Sequence, residues 1–268
     1  MFTDSLLTAF LRIPHFKGKS RLEAVILRRH RHPLKTVVYG GLLMDLDLGE
    51  WTQLQLRRGK WLEPRTLARY TELLQPGDVF ADVGAHVGFH SLVARQKVGA
   101  GGLVLAIEPQ PYNACKILSN WRANGFTNLK LIVAAGGNEN GTVELCDQED
   151  NDRSMLSLVE GCGKNEAQKF VVPMVRLDSV MQDHGITGIK LLKLDVEGFE
   201  LEVMEGLGDK LPAIDHILFE LLDGGKSDRS AKLLGLFGDA GYEIKTVEGV
   251  PWKTGEPLPE NNLWAARL

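Results

Sequence analysis

The chain has 268 residues, room for one large domain or two small ones, and a formal net charge of −4 that gives it no global attraction for nucleic acid. Hydrophobic residues make up 44% and charged residues 25%, the balance of a folded globular protein, and no apolar run is long enough to cross a bilayer. Three scattered cysteines, Cys115, Cys146 and Cys162, lack CxxC spacing, which argues against a disulfide framework or a zinc site and fits a reducing cytoplasm.

Residues 1–76 read as an accessory segment of helices and a β-hairpin. The opening residues, MFTDSLLTAFLRIP, contain Asp4 and no basic n-region, so they do not read as a secretory signal. Helical patterns at 5–11 and 22–29 run through a basic stretch. There Arg12, Lys17, Lys19, Arg21, Arg28, Arg29, Arg31 and Lys35 face one acid, Glu23. Such a run is most often a solvated helix face; weak contact with a phosphate-rich or membrane surface competes. Short strands follow at 36–39 and 42–46, joined by Gly40-Gly41, a strong hairpin signal. A helix at 64–74 starts on Pro64. Pro76-Gly77 then punctuates the chain.

Residues 77–268 form the main domain, in which strands and helices alternate. Strands are expected at 79–83, 103–108 and 129–134, with helices at 88–98 and 112–124 between and beside them. Two shorter strands, 141–145 and 170–175, flank a polar loop. A short helix at 180–184, capped by Asp178 or Ser179, follows. Then come strand 190–194, helix 199–207, strand 216–221, helix 228–240 and the final strands 242–247 and 263–267. This alternation means an α/β fold with a mainly parallel sheet and helices on both faces. The loop 147–169 is long for a compact domain. Gly161 and Gly163 offer hinge points, and Ser154, Met155 and Leu156 a small apolar patch, so a lid over a substrate is expected.

Two segments concentrate the chemistry. In IKLLKLDVEGFE, an apolar strand runs into Asp195, Glu197 and Gly198. Carboxylates at the end of a buried strand are costly unless they have a role, and the carboxyl end of an open α/β sheet is where ligands bind. Lys193, Asp195 and Glu197 share one side of that strand, so mutual neutralisation competes with catalysis. Asp195, or Glu197, is the expected proton acceptor, and Glu220 at the end of ILFEL joins from the side. In DVFADVGAHVG, a strand ends in Asp82 and turns through Gly84, Ala85, His86 and Gly88. The middle glycine of G-x-G-x-x-G is missing, and Asp82 would repel phosphates, so a dinucleotide fits poorly. A ligand with an amino group and a sulfonium fits better. Glu108-Pro109 ends the next strand, where an acid can accept both hydroxyls of a ribose. A charge complementing the following helix is the plainer role. His86 and His90 have metal-compatible spacing but lack the glutamate of HExxH. Oxygen ligands at Asp195, Glu197 and Glu220 would suit magnesium. No metal is expected, because Lys193 already supplies a counter-charge.

The order DVGAHVG, IEP, VRLDSV, KLDVEGFE, ILFEL and a terminal NNLWA resembles the FkbM-type family of S-adenosylmethionine-dependent methyltransferases from about Asp78 onward. The family usually has asparagine where this chain has His86. The resemblance implies a Rossmann-like class I methyltransferase fold with a seven-stranded sheet whose last strand is antiparallel. It implies S-adenosyl-L-methionine as cofactor and S-adenosyl-L-homocysteine as product. It also implies methylation of a hydroxyl on a sugar, polyketide or other specialised metabolite. By similarity Asp82, Gly84 and Gly88 would line the methionine part, and Glu108 the ribose. An N-methyltransferase and a non-catalytic binding module of the same fold are the alternatives.

Overall fold

The computed structural model describes residues 34–48, 50–60, 63–147, 156–158, 169–221, 223–258 and 261–267, together with residues 9, 10, 13, 14, 16–19, 22, 25 and 26. The expected helices at 5–11 and 22–29, and most of the basic stretch, lie largely outside these residues.

A two-stranded antiparallel ribbon comes first, β1 (Leu34–Val37) with β2 (Leu43–Leu46). Gly40 and Gly41, at φ 65° and 79°, make the turn between them, within a short 3-10 segment. Helix α1 (Trp51–Arg57) follows and was not expected. Its sequence WTQLQLR alternates like a strand, and it buries Gln53 and Gln55 beside Leu56, so periodicity hides it. Helix α2 (Pro64–Leu73) starts on its proline, as expected.

The main domain runs β3 (Val79–Val83), α3 (Phe89–Val98), β4 (Leu103–Ile107), α4 (Pro111–Ala123) and β5 (Leu129–Ile132). A small second sheet follows: β6 (Ala135–Gly137), β7 (Gly141–Asp147), β8 (Leu156–Leu158) and β9 (Lys169–Arg176). Then come α5 (Leu177–Asp183), β10 (Ile189–Leu194), α6 (Glu200–Glu205), β11 (Ile214–Glu220), α7 (Asp228–Asp239), β12 (Tyr242–Thr246) and β13 (Asn262–Arg267).

Seven strands form the central sheet in the order β12-β13-β11-β10-β3-β4-β5, and β13 alone runs against its neighbours. This is the Rossmann-like class I methyltransferase topology that the motifs imply. Side chains alternate between the two faces of each strand. Ala81, Val83, Leu192, Leu194, Ile217 and Phe219 face one way, against α5, α6 and α7. Phe80, Leu191 and Leu218 face the other way, against α3. On that second face the accessory segment shares the core: Leu42, Met44, Leu46, Leu67 and Tyr70 join the same cluster. Asp82 and Lys193 are register partners and fall on this second face as well.

The second sheet has the order β6-β9-β7-β8. Its pair β7–β9 is the expected one; β6 and β8 were not expected. Apart from β8, the proposed lid at 147–169, with Ser154, Met155, Gly161 and Gly163, lies outside the described residues. Two further expectations are corrected. Asp178 does not cap α5: Arg176 is the N-cap, and Asp178 sits in the first turn, bonded to the Arg176 guanidinium and the Ser179 N–H. Cys146 is disulfide-bonded, while Cys115 is free and exposed, so odd number and spacing misjudged the cysteines. Among the described residues no helix is long and apolar enough to cross a membrane.

Candidate active site

The ends of β3, β4 and β10 open into a crevice roofed by the second sheet. After Val83 the chain must leave the sheet and enter α3 at once. Gly84 does this at φ 85°, with its N–H and that of Ala85 both donating to the Ile107 carbonyl (2.9 and 3.2 Å). A side-chain carbon at Gly84 would collide with the backbone carbonyl oxygen of Asp195, so only glycine lets the ends of β3 and β10 close together. His86 follows at φ 49°, and Gly88 at φ 83° caps α3.

Glu108 stands at the end of β4, buried. Its Oε2 accepts the His86 N–H (2.8 Å), and its Oε1 accepts the Gln110 N–H (3.0 Å) and the Asn113 amide (3.2 Å). Burial pushes its carboxyl up to about 7, against the pull of those three hydrogen bonds.

Beneath the crevice lies a buried charge cluster. The Lys193 side chain is 3% exposed, and its ammonium is 2.7 Å from Asp195 Oδ2 and 3.8 Å from Glu63 Oε1. Burial disfavours that ammonium, yet the charges of Asp195, Glu63 and Asp82 outweigh it and raise its pKa. Asp82 is also buried and accepts the Ser91 hydroxyl (2.6 Å). Burial raises its pKa, and Lys193 and Ser91 pull it back. The Tyr70 hydroxyl shares a 3.1 Å hydrogen bond with His90 Nδ1. Burial holds His90 well below the usual histidine range, with Lys193 and His86 adding to the effect.

The crevice lies at the carboxyl ends of the central strands, the place where an open α/β sheet binds its ligands. Of the residues singled out by sequence, Gly84, His86, Glu108, Pro109, Asp195 and Glu197 line it. The others do not. Asp82 and Lys193 lie beneath it, Ala85 packs on Ala106 and Ile117, and Gly88 shapes the helix entry. Glu220 lines a neighbouring cavity with Glu200, Asp223, Arg229 and Ser230. The turn 196–200 divides the two spaces: Glu197 and Phe199 face the first, Gly198 and Glu200 the second. Burial, then the charges of Asp195 and Glu197, push the Glu220 carboxyl up to about 8, opposed by Lys193. His86 and His90 turn to different partners, Glu50 (3.9 Å) and Glu63 (3.8 Å). Among the described residues no group of three or more His, Cys, Asp or Glu side chains is arranged to hold a metal.

Sequence reasoning missed four participants. Glu63 and Tyr70 come from the accessory segment and have no motif. Asn113, in the first turn of α4, lines the crevice and supports Glu108. Glu200 accepts the N–H groups of Val196 and Gly198 (3.2 Å each) and so holds the turn that carries Glu197. An acid in a helix's first turn after a glycine was its available signal.

A family model described as the methyltransferase FkbM domain matches residues 82–244. The chain is 27% identical over 209 residues to 31-O-demethyl-FK506 methyltransferase FkbM of Streptomyces tacrolimicus, covering 64% of this chain and 76% of that one. It is 24% identical over 164 residues to the hexuronic acid methyltransferase AglP of Haloferax volcanii, covering 61% and 64%. A solved O-methyltransferase of Thermotoga maritima aligns with a TM-score of 0.43 at 13% identity, over 93% of this chain and 81% of that one.

Proposed function

This chain belongs to the FkbM methyltransferase family, and from that premise we propose that it moves the methyl group of S-adenosylmethionine to a hydroxyl oxygen of a small-molecule acceptor. Glu108 is the observation that carries this assignment. A ribose presents two adjacent hydroxyl donors, and an ionised carboxylate at the end of β4, in the crevice wall, can accept both. The rest of the crevice fits a cationic donor. Among the described residues lining it there is no lysine or arginine to meet a phosphate, and Asp195 and Glu197 add negative charge. For the acceptor we assign the class of sugar, polyketide or other specialised-metabolite alcohols. The relatives named for 31-O-demethyl-FK506 and for hexuronic acid support that class.

When bound, the cofactor supplies an electrophilic methyl carbon. The chain's own residues supply position and a proton acceptor. Asp195 lines the crevice with its side chain 29% exposed, and Lys193 fixes its Oδ2 from below. That arrangement keeps a carboxylate facing the acceptor hydroxyl, to take its proton directly or through water, with Glu197 the alternative acceptor. Much of the rate would come from alignment. No metal enters this assignment, because Lys193 already balances Asp195.

Calorimetry with S-adenosylmethionine tests it. Glu108→Ala should weaken binding by roughly 1.5–3 kcal/mol, the scale of hydrogen bonds to a charged group. The pH dependence has a definite sign. The ordinary glutamate value of 4.5 is raised to about 7 in the ligand-free fold. Below about 7 Glu108 holds a proton that ribose binding must expel, so affinity should rise with pH and level off above 7. Glu108→Gln should flatten that slope. The same group favours the ligand-free fold below 4.5 and loses that contribution as pH rises through 7. Binding of NADH in place of S-adenosylmethionine would refute the assignment.

A further inference from the structure

We propose that Arg229, on α7, is a positioning residue for methyl transfer: together with Glu200 it clamps the turn 196–200 from behind and fixes the Asp195–Glu197 edge of the crevice. This deepens the methyl-transfer assignment above and rests on it. Asp195, Val196, Glu197 and Phe199 line the crevice, while Gly198 and Glu200 line the neighbouring cavity together with Arg229. Two consecutive residues of the turn, Glu197 at φ 52° and Gly198 at φ 95°, are in the left-handed region. A glutamate in that conformation is uncommon and persists where its surroundings hold it.

The holding groups come from the far side of the turn. β10 is paired with β3 and β11 up to Leu194, and beyond Asp195 the backbone leaves the sheet. From there Glu200, which is buried, accepts the Val196 and Gly198 N–H groups on its Oε1 (3.2 Å each). Arg229 takes the other pole of Gly198: its Nη2 donates to the Gly198 carbonyl (2.8 Å). The guanidinium is itself fixed by Glu202 on α6, with Nη1 2.6 Å from Oε1 and Nη2 bonded to Oε2. One planar group thus ties the first turn of α7 both to α6 and to the turn that precedes α6. The Arg229 side chain is 50% exposed, and an ion pair that open adds little to stability. What its two-pronged grip adds is geometric specificity. Group transfer is sensitive to such placement: a shift of about 1 Å can cost about a hundredfold in rate.

The test compares Arg229→Met and Glu200→Ala with the wild-type protein, each as the full chain. Three quantities are read: the denaturation midpoint, hydrogen exchange of the 196–199 amides, and kcat and KM for S-adenosylmethionine from release of S-adenosylhomocysteine. Arg229→Met should leave the midpoint almost unchanged and speed exchange of those amides about tenfold through local opening. It should lower kcat by up to about a hundredfold, with a smaller change in KM. Glu200→Ala should show the same changes in exchange and kcat. Glu200→Gln, whose Oε1 still accepts both N–H groups, should recover most of that loss. A merely structural role would lower the midpoint and leave exchange in the turn and kcat of the folded protein unchanged; that result overturns the proposal. Faster exchange with an unchanged kcat overturns it as well. If Arg229→Met does not fold, Glu202→Gln loosens the same guanidinium and is judged by the same readouts. Wild-type protein that binds no S-adenosylmethionine would sink the methyl-transfer assignment and this proposal together. Wild-type turnover matched by Arg229→Met sinks the role of Arg229 alone.

Discussion

Replacing Lys193 with methionine is expected to lower the free energy of unfolding by about 3–5 kcal/mol, the cost of stripping a buried ionic cluster of one partner. Methionine fits the space of the lysine stem, so packing changes little. What changes is that Asp82, Asp195 and Glu63 lose their shared cation. Asp82 suffers most, because it is buried and is left with the hydrogen bonds from Ser91. Chemical denaturation should show a lower midpoint at an unchanged slope. Adding Asp82→Asn to Lys193→Met should recover part of the loss, since the pair is coupled. A loss under about 1 kcal/mol would mean that the cluster holds protonated acids rather than buried charge.

Asp195→Asn should lower methyl transfer by about 10²–10⁴-fold, the usual contribution of a positioned proton acceptor. Asparagine keeps the size of the side chain but cannot take a proton. Stability should fall less than in Lys193→Met, because Lys193 keeps Glu63 and Asp82 as partners. Cofactor affinity should change little beside the rate. The rate is read as release of S-adenosylhomocysteine in the presence of sugar and polyketide alcohols. Full turnover in both Asp195→Asn and Glu197→Gln, each still binding cofactor, would remove both as proton acceptors and leave alignment as the source of rate.

Much of this architecture is legible in the sequence, for reasons tied to particular residues. Strands β3, β4, β10 and β11 are short apolar runs that end in Asp82, Glu108, Asp195 and Glu220. A buried strand with an acid at its end marks the sheet, and the two acids just past a strand end, Glu108 and Asp195, mark its ligand-binding rim. Gly84 is readable because a turn this tight tolerates little else. The parts that stay hidden rely on contacts between distant segments. Glu63 reaches Lys193 across 130 positions of chain, and no local period encodes that approach. Helix α1 buries Gln53 and Gln55 together with Leu56, and its alternating WTQLQLR pattern mimics a strand. Glu220 sits beside Asp195 along the sheet, yet the turn 196–200 places it in a separate cavity. Strand order alone cannot reveal that division, because it depends on how Glu200 holds the turn.

The central claim is that Glu108 and the Gly84 turn hold the nucleoside and sulfur of a methyl donor. A crystal structure of the protein with S-adenosylhomocysteine tests it most directly. Both ribose hydroxyls should lie within hydrogen-bonding distance of the Glu108 carboxylate, with the sulfur between Gly84 and Asp195. A ribose bound away from Glu108, or a ligand seated in the Glu220 cavity instead, would contradict the account.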